Sequence, residues 1–167
     1  IKFSKKKNSP ISIDLIISDN LKAKGLQFGK IHKISNKVFN FKRKIITEKK
    51  IIYEMKKRKI KLICLAGFMR ILSKHFIKSF KGKILNIHPS LLPKYKGLNT
   101  HQRAISNREK YSGCTVHFVN SKLDSGKIIL QKKVRISNGD TAKSLAKKIL
   151  SEEHKLYPKA IRKVFSL

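Results

Sequence analysis

Six short strand-like runs, each too brief to be a helix of its own, constrain this chain more than any other feature. Residues 12–18 read Ser-Ile-Asp-Leu-Ile-Ile-Ser and residues 61–68 read Lys-Leu-Ile-Cys-Leu-Ala-Gly-Phe. Residues 31–34, 83–88 and 113–119 read as further strands, and residues 127–134 as one that alternates polar and apolar. Runs of this length are strand-sized, and those that are apolar almost throughout imply burial on both faces. Between them lie helical patterns at residues 22–30, 47–59, 73–80 and 99–107, with a long terminal helix opened by Asp140 or Thr141. Pro158 falls inside that last segment and is expected to kink or restart it. Strand–helix alternation predicts an α/β, Rossmann-like fold, a mainly parallel sheet with helices on both faces. Ligands of such sheets bind beyond the carboxyl ends of the strands. That places attention on residues 67–72 and 88–97.

The 167 residues suffice for a single domain spanning 1–167. Lys and Arg number 41 against 9 Asp and Glu, a formal charge of +32. The bases are scattered through every segment rather than gathered with aromatics, so they read as a solvated surface and not a stacking platform for nucleic acid. Incidental affinity for nucleic acid at low salt is still expected. No apolar run reaches the roughly 18–20 residues that span a bilayer. Cys64 and Cys114, far apart and each inside an apolar stretch, read as small core residues of a chain in a reducing cytosol.

Asn86 and His88 hold the first chemically informative spacing. Residues i and i+2 of a strand share a face, so an amide and an imidazole stand together at a strand's carboxyl end. Both can reach one carbonyl oxygen, which an acyl-transfer site requires as charge develops there. They can equally satisfy loop backbone groups. Pro89 and Pro93 then stiffen the loop that follows.

From here the sequence resembles the folate-dependent formyltransferases, and most of all their branch acting on glycinamide ribonucleotide. The resemblance rests on Leu65-Ala66-Gly67-Phe68-Met69-Arg70-Ile71-Leu72 and on Asn86-Ile87-His88-Pro89-Ser90-Leu91-Leu92-Pro93 through Gly97. It continues through Gly97-Leu98-Asn99-Thr100-His101, Gly113-Cys114-Thr115-Val116-His117-Phe118, Leu123-Asp124-Ser125-Gly126 and Glu152-Glu153-His154. It implies a formyltransferase fold, 10-formyltetrahydrofolate as formyl-donating co-substrate, no metal, and a cytoplasmic role in purine biosynthesis as a monomer or homodimer.

The resemblance also implies a catalytic trio of Asn86, His88 and Asp124. Asn86 would donate to the formyl oxygen, His88 would stabilise the charge as an imidazolium, and Asp124 would stand beside it and help move protons. Met69, Arg70, Ile71 and Leu72 would receive the pterin, with Asn120, Ser121, Lys122, Leu123 and Asp124 closing over it and Arg43 assisting. Glu153 would accept ribose hydroxyls, with Gly67 and Pro89 on the substrate side. Read as residues alone, Asp124 is a turn residue, Met69 and Leu72 are core filling, Arg70 is a solvated helix start and Glu153 is a surface acid. His101 and His117 are expected to be structural.

The family's opening strand and its Gly-rich phosphate loop have no counterpart here. Residues 1–7 read as the tail of the helix that follows them, so a fold lacking its first strand and an N-terminally truncated domain are expected. The alternatives are a methionyl-tRNA formyltransferase, a formyltetrahydrofolate deformylase, and a non-catalytic basic nucleic-acid-binding module.

Overall fold

The computed structural model describes residue 1 and residues 3–167. The helix-tail reading of the start falls partly on Lys2, outside the described residues. Phe3–Lys5 forms a single 3-10 turn. The chain divides into two compact units, Ile1–Lys61 and Leu62–Leu167.

The first unit holds β1 (Leu15–Ser18), α1 (Lys24–Ile31), β2 (Ser35–Val38) and α2 (Lys44–Lys57). β1 and β2 pair in parallel, with Leu15 opposite Ser35. The second strand was expected at residues 31–34, and it lies later. Ile31 ends α1, and the Ile34 amide donates to Gly29 O (2.8 Å), so these residues close the helix instead. A Cβ at Gly29 would fall 2.1 Å from Asn36 Oδ1, so a larger residue there would displace the Asn36 side chain. The Asn36 amide nitrogen in turn donates to Leu26 O (2.9 Å), tying strand to helix.

The second unit holds β3 (Leu62–Leu65), α3 (Lys74–Ser79), β4 (Lys83–His88), α4 (Thr100–Ser106), β5 (Tyr111–Phe118), β6 (Ile128–Arg135) and α5 (Ala142–Phe165). Its sheet order is β3-β4-β5-β6. The expected parallel pairing holds for β3 with β4, whereas β5 and β6 each run antiparallel to their predecessor. Ser73 caps α3 by accepting from the Phe76 amide (3.0 Å), as its position predicts. Thr141 opens α5 with a capping box shared with Ser144. Pro158 does not restart the helix: α5 is continuous through it for 24 residues. Among the described residues no helix is long and apolar enough to cross a membrane.

The core of this unit lies on one side of the sheet. Leu85 and Ile87 of β4 and Cys114 and Val116 of β5 pack with Ala104 of α4 and with Leu145, Ile149, Leu156 and Ala160 of α5. Tyr157 extends from α5 to the sheet, its hydroxyl 2.9 Å from Leu65 O and 3.0 Å from Leu85 O. Of the two cysteines expected in the core, Cys114 is fully buried and Cys64 is exposed. The difference follows from position: β5 is flanked by strands on both sides, whereas β3 is an edge strand of its sheet.

Candidate active site

The apolar side of the sheet fixes what its other side must carry. Side chains alternate along a strand, and directly opposed residues of an antiparallel pair share a face. Ile87 opposes Val116 on the core side. Asn86 therefore opposes His117, and His88 opposes Thr115, on the other side. Four polar groups stand together because hydrophobic burial has claimed their neighbours.

Asp124 joins them from the connection between β5 and β6. Gly126 makes that connection tight, since a Cβ there would meet Phe118 O at 1.7 Å. Asp124 itself adopts a left-handed backbone (φ 43°) that non-glycine residues rarely occupy. Its Oδ2 accepts from the Gly97 amide (2.9 Å), which locks it to the loop after β4. The carboxylate lies between two imidazoles. Oδ2 is 3.4 Å from His88 Nδ1, and Oδ1 is 3.7 Å from His117 Nε2. Asn86 Nδ2 is 3.3 Å from His117 Nε2, which completes a chain of contacts linking Asn86, His117, Asp124 and His88.

The far edge of His88 is fixed by the loop. Its Nε2 donates to Tyr95 O (2.8 Å), so Nδ1 is the edge turned to Asp124. The loop is held from beneath by Thr115, which is fully buried. Its hydroxyl donates to Ser90 O (2.6 Å) and accepts from the Leu92 amide (3.1 Å) and from Gln131 Nε2 (2.9 Å). Ser90 Oγ donates to Lys94 O (2.6 Å). A buried hydroxyl with three partners gives the loop a single conformation.

Burial shapes the electrostatics here. It lowers the pKa of His117, against the pull of Phe118 O and of the Asp124 carboxylate. It also lowers that of His101, helped by the nearby positive charge of His88. His101 Nδ1 is buried with no hydrogen-bond partner among the described residues.

The other expected site residues fall in three places. Because β3 runs parallel to β4 with Leu65 opposite Asn86, the segment after β3 leaves the sheet beside Asn86. In it Gly67 takes φ +62°, Met69, Arg70 and Ile71 are exposed, and the Leu72 side chain is buried, as core filling requires. Pro89 follows His88 directly and is partly buried. Asn120, Ser121, Lys122 and Leu123 form the exposed stretch leading to Asp124, with Asn120 Oδ1 accepting from the Lys122 amide (2.9 Å). Glu153 is partly buried on α5, where burial pushes its carboxyl up to about 7. Its charge is felt by Cys114 and Tyr157. Among the described residues no hydrogen bond or ion pair joins it to the trio. Arg43 ends the 3-10 turn Phe41–Arg43 of the first unit and is exposed.

His117 is expected from the sequence to be structural, and the structure sets it among the site residues. It is not remote from the trio: it touches Asn86 and lies beside Asp124. Alternation along β5 gave its face, but only the register against β4 identifies that face as the one bearing Asn86 and His88.

An amide donor, an imidazole edge and a carboxylate thus converge on one side of a rigid sheet. Such a set can polarise a carbonyl and move protons to and from the atoms bonded to it.

Comparisons with known proteins identify the family. The sequence matches the family described as Formyl transferase over residues 1–161. It is 41% identical over 162 residues to the Homo sapiens trifunctional purine biosynthetic protein adenosine-3, covering 95% of this chain and 16% of that protein. It is 42% identical over 156 residues to the phosphoribosylglycinamide formyltransferase of Haemophilus influenzae, covering 92% of this chain and 74% of that one. The crystal structure of phosphoribosylglycinamide formyltransferase from Brucella melitensis superposes with a TM-score of 0.91 at 42% identity, over 99% of this chain and 86% of that chain. The chain thus spans less than a fifth of the length of the trifunctional relatives and most of the length of the single-function one. With the match running nearly end to end and the fold shared at a TM-score of 0.91, the chain belongs to the formyl transferase family.

Proposed function

We propose that the chain transfers the formyl group of 10-formyltetrahydrofolate to the primary amine of glycinamide ribonucleotide, a step of purine biosynthesis carried out in the cytoplasm. The observation that carries this reading is the convergence of Asn86, His88 and Asp124 on one face, with Asp124 Oδ2 3.4 Å from His88 Nδ1. Relatives named phosphoribosylglycinamide formyltransferase support the choice of substrates.

The amine attacks the formyl carbon, and negative charge gathers on the formyl oxygen. Asn86 donates an amide hydrogen to that oxygen, and His88 adds positive charge beside it. A carbon–nitrogen bond to the substrate forms while the bond to the folate nitrogen breaks. The amine gives up one proton and the leaving folate nitrogen gains one. Asp124, in reach of His88, takes part in that exchange. Met69, Arg70, Ile71 and Leu72 line the donor's side together with Asn120, Ser121, Lys122 and Leu123. Gly67, Pro89 and Glu153 meet the ribonucleotide, Glu153 through its sugar hydroxyls. Nothing in this scheme requires a metal.

The test is a formyl-transfer assay supplying 10-formyltetrahydrofolate with glycinamide ribonucleotide, with methionyl-tRNA, or with water alone as acceptor. Transfer to the ribonucleotide is expected, and His88→Ala or Asp124→Ala should lower turnover about 100-fold or more. Transfer to another acceptor only, or equal turnover in both variants, overturns the reading.

A further inference from the structure

We propose that His117 is a positioning residue: its neutral ring fixes which edge of the Asn86 amide faces the reacting carbonyl. The inference rests on the formyl-transfer reading for what that carbonyl is, and on geometry for the rest.

The ring's hydrogen is placed by its partners. His117 Nδ1 lies 2.8 Å from Phe118 O. A carbonyl oxygen only accepts, so Nδ1 carries the hydrogen. In the neutral ring Nε2 then holds a bare lone pair, 3.3 Å from Asn86 Nδ2. That lone pair accepts from the amide's NH₂ and repels its oxygen, so the amide can sit only one way round. One NH₂ hydrogen is engaged by His117 and the other remains available to polarise the formyl oxygen. A protonated His117 would present an N–H at the same place. The amide would turn over to offer Oδ1, and the donor would leave the site.

The surroundings decide which form prevails. His117 is 2% exposed, on a strand flanked on both sides. Two groups able to carry charge face it: Asp124 from the β5–β6 connection and His88 from β4. Across from it on β6 stands Ile128, which carries none. Phe118 O and Asp124, the latter at 3.7 Å and beyond good hydrogen-bond distance, favour the charged ring, while burial, the largest effect, and the charge of His88 oppose it. The neutral ring prevails, and Asn86 is held as a donor.

Two measurements on the full chain test this. Nitrogen-15 spectra of histidine-labelled protein, assigned by the signals lost in His117→Phe, should show hydrogen on Nδ1 and a bare Nε2 at pH 7.5. Hydrogen on Nε2 at that pH overturns the inference. In the transfer assay His117→Phe should lower kcat about tenfold with little change in KM, and His117→Gln, whose side-chain oxygen can accept from Asn86, should recover most of the loss. In an Asn86→Ala background the same His117→Phe change should cost nothing further, because its effect passes through the missing amide. An undiminished loss there overturns the inference. Absence of any formyl transfer by the unaltered chain would sink the proposed function, while the position of the ring hydrogen would still decide the case of His117.

Discussion

Replacing Glu153 by Gln should stabilise the protein at alkaline pH and leave it unchanged in acid. Burial holds the Glu153 carboxyl in its protonated form up to about 7, against an ordinary 4.5. Below about pH 4.5 the group is protonated whether the chain is folded or not. As pH rises from there, the unfolded chain releases its proton while the folded chain keeps it. Stability therefore falls with pH through this window, and the loss is complete above about 7. Two and a half pH units correspond to about 3 kcal/mol at 1.36 kcal/mol per unit. Glu153 retains some contact with solvent, which reduces the figure to about 1–2 kcal/mol. Gln is neutral throughout and similar in shape, so it removes the penalty. Urea unfolding of both proteins at pH 5 and pH 8 reads this directly. Equal midpoints are expected at pH 5, with the variant ahead at pH 8. If the two stay level at pH 8, or if the native protein leads, burial of an uncompensated carboxylate is the wrong account of this position. The same variant should bind glycinamide ribonucleotide more weakly. A residue kept at a cost in stability and needed for the substrate is what a binding role predicts.

Further outcomes follow from other contacts. Thr115→Val leaves Ser90 O, the Leu92 amide and Gln131 Nε2 without their shared partner, so a loss of about 2–4 kcal/mol in thermal or urea unfolding is expected. Gly126→Ala drives a methyl group into Phe118 O and should cost about 2 kcal/mol or more, lowering turnover as well because the strain reaches Asp124 two residues away. Thr141→Ala removes half of the capping box of α5 and should cost about 1 kcal/mol, visible as a lower Tm with unchanged kcat. Binding to a random DNA duplex, followed by filter retention, should weaken steeply as salt is raised, as diffuse lysine charge predicts. A salt-insensitive, sequence-selective complex would reverse that view of the +32 charge.

Much of the fold could be read in the chain because its strands and helix caps carry local signals. β4 was placed to the residue, and Ser73 and Thr141 announce their helices by side-chain chemistry alone. The misplacement of β2 has a physical origin. Ile31 and Ile34 are apolar because they finish α1 and the turn after it, while the strand is built from the largely polar Ser35-Asn36-Lys37-Val38, held by parallel pairing to β1. Strand direction was hidden for a related reason. The connection from β4 to β5 contains a helix and is long enough for a parallel crossover, yet β5 returns antiparallel, and no residue in it states the choice. Asn86 and His88 declare their shared face by spacing. The contact between Asp124 and His88 spans 36 positions and needs the turn at Gly126 and the anchor at Gly97 to be seen. His117 needed the strand register as well.

The parity of β4 has one more consequence. Leu85 and Ile87 belong to the core while Asn86 and His88 belong to the site, one residue out of step with each other. Deleting any single position within this strand would therefore exchange the two sets, sending amide and imidazole into oil and leucine into the cleft. Chains of this kind can vary by substitution along β4 but not by change of length. Insertions and deletions between relatives should gather in the loops on either side and leave these six residues uninterrupted.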